Sequence, residues 1–210
     1  MQNRSSAQFN MLPTVVKNLL IINGILFLAK IVLGSQEIVD LDRWLSFWHW
    51  GSRPDSYFKL HQIFTYMFMH GSLWHLLFNM YALWMFGKEL ENIWGPKKFL
   101  NFYIICGLFS CLFYALMPYL GFGTFNSVML GASGAVYGIL VGFGLMFPNS
   151  ILMLIFPPIP LKAKYFVIIL IGLDVFMGLK NADSGIAHSA HLGGALGGFL
   201  LMKFWIQKRF

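Results

Sequence analysis

The stretch Gly131-Ala132-Ser133-Gly134-Ala135-Val136-Tyr137 decides how the rest of this chain is read. A small hydroxyl residue lies among glycines and opens an apolar run. At a helix start, Ser133 meets unbonded N–H groups and the positive end of the helix dipole, and both favour an oxyanion. Gly134, Gly138 and Gly142 recur every four residues, so a second helix can approach that face closely. A Gly-x-Ser-Gly string alone is common, and its ordinary meaning is a packing serine in a small-residue stripe.

Two further segments change that balance. Ala187-His188-Ser189-Ala190-His191-Leu192-Gly193-Gly194 and His70-Gly71-Ser72-Leu73-Trp74-His75-Leu76-Leu77-Phe78-Asn79 also open apolar runs. Ser, His and Asn are costly in lipid and call for a reason. Together they supply a nucleophile, a base and oxyanion donors, the requirements of acyl transfer.

Composition sets the surroundings. Of 210 residues, 58% are hydrophobic and only 11% charged, against about 25% charged in soluble domains. The chain reads as an all-α, multi-pass membrane protein of one domain, 1–210, with a short polar start at 1–13 and a core at 14–206. The first apolar run reads as a retained span, not a cleaved signal. The net charge of +7 is spread in short basic clusters between apolar runs. That pattern fits membrane topology and argues against nucleic acid. Cys106 and Cys111 share one apolar helix and face different ways, as packing residues do.

Six spans are expected, at 14–34, 74–92, 99–118, 133–147, 164–180 and 189–206. The Trp-rich segment from Ser35 to Leu73 suits an amphipathic structure in the outer membrane interface. With both termini cytoplasmic, ten Lys and Arg fall inside (Arg4, Lys17, Lys88, Lys97, Lys98, Lys162, Lys164, Lys203, Lys208, Arg209). Five fall outside (Lys30, Arg43, Arg53, Lys59, Lys180), so the count favours this orientation. His75, Ser133 and His191 then all lie in the outer half of the membrane. From Ser133 to Pro148 the helix covers ~22 Å of a ~30 Å hydrocarbon core, which puts Ser133 roughly 8 Å below the outer surface. The segment from Gly121 to Leu130 is expected to be an irregular loop at membrane depth, tolerated there if it is packed in protein or lines a wet cavity.

His191 is the candidate base. Gly194 and Gly198 share its face, so it lies on a stripe that can press against the glycine stripe of the fourth helix. His188 lies higher and nearer the loop, and is disfavoured as the base. His75 and Asn79, four apart, stack on the second helix and can donate in one direction to an oxyanion. His70 precedes that helix and is expected to brace the outer segment. Tyr137, one turn below Ser133, can hold an imidazole in place. Asp174, in the fifth helix, is placed too deep or on the wrong helix to orient His191, so a dyad is expected rather than a triad. A zinc site from His70, His75, His188 and His191 is the competing chemistry. It lacks a His-Glu-x-x-His string and a neighbouring acid, so no metal and no cofactor are assigned.

The three segments together resemble the rhomboid intramembrane serine proteases over about residues 55–205. The resemblance rests on His70, His75, Asn79, Gly131, Ser133, Tyr137, Ala187, His188, His191, Gly194 and Gly198, with Gly87, Glu91 and Gly95 matching a turn after the second helix. It implies a six-helix rhomboid-like bundle with a Ser133–His191 dyad and an oxyanion hole from the Ser133 N–H, His75 and Asn79. It further implies cleavage of single-span membrane proteins near the outer end of the helix. The outer segment would resemble the family's lateral loop, and 181–187 with the fifth helix its cap or gate. One departure is His61-Gln62, where members often carry Trp-Arg or Trp-Gln. The minimal six-helix form, with no further domain or transit peptide expected, suggests a bacterial inner-membrane enzyme. The alternative is an inactive relative that binds membrane clients; the retained Ser133, His191, His75 and Asn79 argue against it.

Overall fold

A computed structural model describes residues 9–50, 57–122, 124–153, 158–180 and 188–207. Arg4, Arg53, Lys208, Arg209 and the cap segment 181–187 lie outside the described residues.

The helices are α1 (Thr14–Ser35), α2 (Leu41–Leu45), α3 (Gln62–Thr65), α4 (Leu73–Trp94), α5 (Pro96–Leu116), α6 (Ser133–Met146), α7 (Ala163–Lys180) and α8 (His188–Gln207). Two 3-10 turns, Tyr66–Phe68 and Met117–Leu120, extend α3 and α5. The six long helices begin and end within a few residues of the six expected. Among the described residues, two stretches, Thr14–Ser35 and Pro96–Leu120, are long and apolar enough to cross a membrane.

Glycines set the centre of the bundle. A Cβ on Gly198 would stand 2.7 Å from the Gly138 carbonyl oxygen, and one on Gly194 would collide with the Gly134 carbonyl. The α6 and α8 backbones therefore touch, as small-residue faces permit. Around them pack Phe99, Phe102, Tyr103 and Cys106 of α5 and Leu83, Phe86 and Leu90 of α4, all buried. Both cysteines are buried and unbridged.

Caps hold the helix ends. Gly95 takes φ +79° between α4 and α5, and Pro96 follows at the first helical position, where its missing N–H costs nothing. Buried Glu91 turns both carboxylate oxygens onto the start of α1, accepting from the N–H groups of Val15 and Val16 at 2.8 Å each. A carboxylate there satisfies two orphan donors and opposes the helix dipole.

At the end of the bundle that carries Ser133, the Ser35–Leu73 segment folds into α2, β1 (Phe47–Trp48), α3 and a 3-10 turn. The Gly121–Leu130 segment is more regular than expected. Its β2 (Val128–Met129) pairs antiparallel with β1, Phe47 opposite Met129 and Trp48 opposite Val128. That pairing buries Phe47 and Met129 and fixes the approach to Ser133. Gln62, fully buried, organises the segment. Its Nε2 donates to the carbonyls of Tyr57, Arg43 and Trp44, and its Oε1 accepts from the N–H of Lys59. The neighbouring His61 Nε2 meets the Trp44 carbonyl at 2.8 Å. The His61-Gln62 departure thus retains polar anchorage. At the opposite end a hairpin, β3 (Ile151–Met153) with β4 (Pro160–Lys162), joins α6 to α7 where no strand was expected.

Candidate active site

Ser133 is the first residue of α6. Its N–H is therefore one of the unbonded donors of a helix start. The turn before it depends on Gly131, whose φ of +124° is closed to residues with a side chain. The Gly131 N–H donates to the Tyr66 carbonyl at 2.9 Å, which ties the turn to the 3-10 segment. Fourteen residues of α6 give a helix of about 21 Å, against ~33 Å for the 22 residues of α4. The short helix leaves room for the β2 segment above Ser133.

His191, one turn into α8, places Nε2 2.8 Å from Ser133 Oγ. Its ring stacks on Tyr137 at 4.4 Å between centroids and 9° between planes. Its Nδ1 lies 3.2 Å from each carboxylate oxygen of Asp174 in α7. His188 Nδ1 meets Asp174 Oδ1 at 2.7 Å. Asp174 is thus neither too deep nor on the wrong helix to reach His191, which corrects the placement expected from the sequence. A signal for it existed. Asp174 is the acid inside an apolar helix, six residues or ~9 Å from the α7 end. That is the depth expected for Ser133, so helix length measured from the α7 terminus places Asp174 at the level of the nucleophile.

His75 is set by its own helix start. Ser72 caps α4, accepting from the His75 N–H at 3.1 Å. The Gly71 N–H approaches His75 Nδ1 at 3.4 Å, so Nδ1 accepts and Nε2 carries the proton. A Cβ on Gly131 would stand 2.7 Å from His75 Cε1 and Nε2 and 3.6 Å from Ser133 Oγ. The missing side chain of Gly131 is therefore the space that His75 and Ser133 share. Asn79, one turn on, is buried and donates one Nδ2 hydrogen to the His75 carbonyl at 2.9 Å, leaving its second.

His70 packs edge-on against His75 at 5.0 Å. Its carbonyl accepts from Lys30 Nζ of α1 at 2.9 Å, and Lys30 also pairs with Asp42 of α2 at 2.6 Å. This chain of contacts holds the start of α4 to the outer segment. Burial first, then the neighbouring His75, pushes the His70 imidazole down to about 3, so it stays neutral.

A cavity of about 680 Å³ opens on Ser133, His191, His75 and Asn79. Its apolar walls come from α4 and α7, with Phe78 and Met85 facing Phe166 and Leu170. An acyl group fits such a site: a hydroxyl bonded to an imidazole, donors beside it, and an apolar wall to hold the flanking chain.

A sequence model of the Rhomboid domain matches residues 57–208. Rhomboid protein 1, mitochondrial, of Saccharomyces cerevisiae is 32% identical over 133 residues, 63% of this chain and 38% of the relative. The human Presenilin-associated rhomboid-like protein, mitochondrial, is 35% identical over 135 residues, 62% and 34%. The Danio rerio Presenilin-associated rhomboid-like protein A, mitochondrial, is 30% identical over 207 residues, 90% and 52%. The chain thus spans about a third to a half of the length of these relatives. All three are mitochondrial by name, and this overturns the bacterial inner-membrane placement expected from the sequence.

Proposed function

The chain belongs to the rhomboid family, and on that premise we propose that it is an intramembrane serine endopeptidase acting in a mitochondrial membrane. The observation that carries this reading is the 2.8 Å contact between His191 Nε2 and Ser133 Oγ, at a helix start facing a cavity. In the reading, the six long helices form one membrane domain and the Ser35–Leu73 segment lies in the interface. The exposed apolar side chains of α1 and α7, such as Leu28, Val32, Ile168 and Leu179, are then lipid-facing.

The chemistry follows from the donors and acceptors. Ser133 Oγ attacks the scissile carbonyl carbon as its proton passes to His191 Nε2. The carbonyl oxygen becomes an oxyanion and takes hydrogen bonds from the Ser133 N–H, His75 Nε2–H and the free Asn79 N–H. Collapse breaks the C–N bond, and His191 returns the proton to the leaving amine. Water then attacks the Ser133 ester, giving its proton to His191, and the second collapse restores the Ser133 hydroxyl. The substrates are single-span membrane proteins. Their scissile segment unwinds into the cavity while the remaining helix rests on the apolar α4 and α7 walls.

The test is cleavage of a single-span reporter in proteoliposomes, with fluorophosphonate labelling of Ser133 in parallel. Wild type cleaves and labels; Ser133→Ala and His191→Ala, folded by thermal melting, do neither. A wild type that neither cleaves nor labels would mean a client-binding protein instead.

A further inference from the structure

We propose that Asp174 is a positioning residue for His191, and that the site is a three-member chain, Asp174–His191–Ser133, with His188 donating to the same carboxylate. The inference rests on the protease reading above and deepens it.

The donors and acceptors permit one assignment. Ser133 Oγ–H, at 2.8 Å, needs an acceptor if the serine is to be deprotonated, so His191 Nε2 is unprotonated at rest. The His191 proton is then on Nδ1, which faces both oxygens of Asp174. Asp174 accepts that N–H and fixes the tautomer. The carboxylate is itself held: His188 Nδ1–H donates to Oδ1 at 2.7 Å. The His188 ring also packs on α7, where a Cβ at Gly178 would stand 2.9 Å from His188 Cβ. Asp174 is buried, so a negative charge there needs these two donors.

The charge acts on the proton that His191 takes up. An imidazolium facing a carboxylate is favoured over one facing neutral neighbours. The other groups about His191 are His75 from α4, Ser133 and the stacked Tyr137 from α6, and His188 on α8 itself. From α5, the neighbouring Gly193 meets the Phe113 side chain and the Phe109 carbonyl, neither of which carries a charge. Among these neighbours Asp174 is the acid.

The experiment compares wild type with Asp174→Asn, Asp174→Glu and Asp174→Ala in proteoliposomes, reading kcat and KM separately, with melting as the control for folding. Asp174→Asn keeps shape but loses the charge. Its kcat is expected to fall by roughly 10²-fold, a smaller loss than the ~10⁴ of a soluble triad because Tyr137 still holds the ring. KM stays within about twofold, since Asp174 does not touch substrate. Asp174→Glu recovers part of kcat. Unchanged kcat in Asp174→Asn would overturn the proposal. So would a loss of kcat in all three variants, Asp174→Glu included, that tracks a lower melting temperature. An inactive, unlabelled wild type would instead defeat the protease reading, which separates the two failures.

Discussion

Helices α6 and α7 both pack on α8, and they do so by opposite means. Ten of the 14 residues of α6 are buried, and its backbone touches that of α8 through facing glycines. Only three of the 18 residues of α7 are buried: Ala163, Val167 and Asp174. At the Ser133 end, α7 reaches α8 through Asp174 and the Gly178–His188 contact. The nucleophile and base thus ride on a pair that cannot shift without steric cost, because close-packed interiors resist small displacements. The carboxylate rides on a largely exposed helix that meets α8 at this level through its hydrogen bonds to His188 and His191. The distance between Ser133 and His191 is set by van der Waals contact, whereas the distance from His191 to Asp174 depends on a bond that water or a substrate can replace.

The largest effect comes from breaking the tight pair. In Gly194→Ala the new methyl meets the Gly134 carbonyl, which is backbone and cannot turn aside. The helices must separate, and overpacking of this kind costs about 3 kcal/mol or more. We expect a melting temperature lowered by several degrees and loss of both cleavage and Ser133 labelling. A variant that melts and labels like wild type would show that the α6–α8 contact is not what sets the dyad distance.

Gly131→Ala separates geometry from stability. The backbone φ of +124° strains any side chain by about 1–3 kcal/mol, so melting falls by a few degrees. The methyl, however, stands 2.7 Å from His75 Nε2 and near Ser133 Oγ, where the oxyanion would form. Displacing one donor of such a hole typically costs 10²–10³ in kcat. The expected result is kcat reduced by about 10² in a protein that still folds and melts within a few degrees of wild type. Equal activity in the variant would remove His75 from the proposed hole.

The tight half of the molecule was largely legible in the sequence, and the loose half was not. A glycine stripe beside Ser133 and another beside His191 are strings that period and helix geometry convert into a contact. The four-residue spacing of His75 and Asn79 places both on one face in the same way. Asp174 has no such string. Its partners are on another helix, and its level becomes visible only when lengths are measured from the α7 terminus. The β1–β2 pairing was likewise illegible, because two residues on each side carry no alternation and Phe47 and Met129 are 82 positions apart. The roles of Gln62 and Glu91, both buried and bonded to distant backbone, follow from tertiary contacts that no local pattern encodes.

The smallest effect tests the loose side. Gly172 lies on α7 two residues before Asp174, and a Cβ there has nothing within 4 Å. Gly172→Ala therefore meets no steric cost, and helix propensity favours Ala by up to about 1 kcal/mol. We expect melting unchanged or raised by a degree or two, and kcat within about twofold of wild type. The contrast with Gly194→Ala is the informative quantity: the same added methyl, on α8 where it faces α6 and on α7 where it faces open space, collapses one interface and leaves the other intact. If Gly172→Ala instead lost activity without losing stability, α7 would have to bend or pack differently during turnover, and its looseness would be part of the reaction cycle.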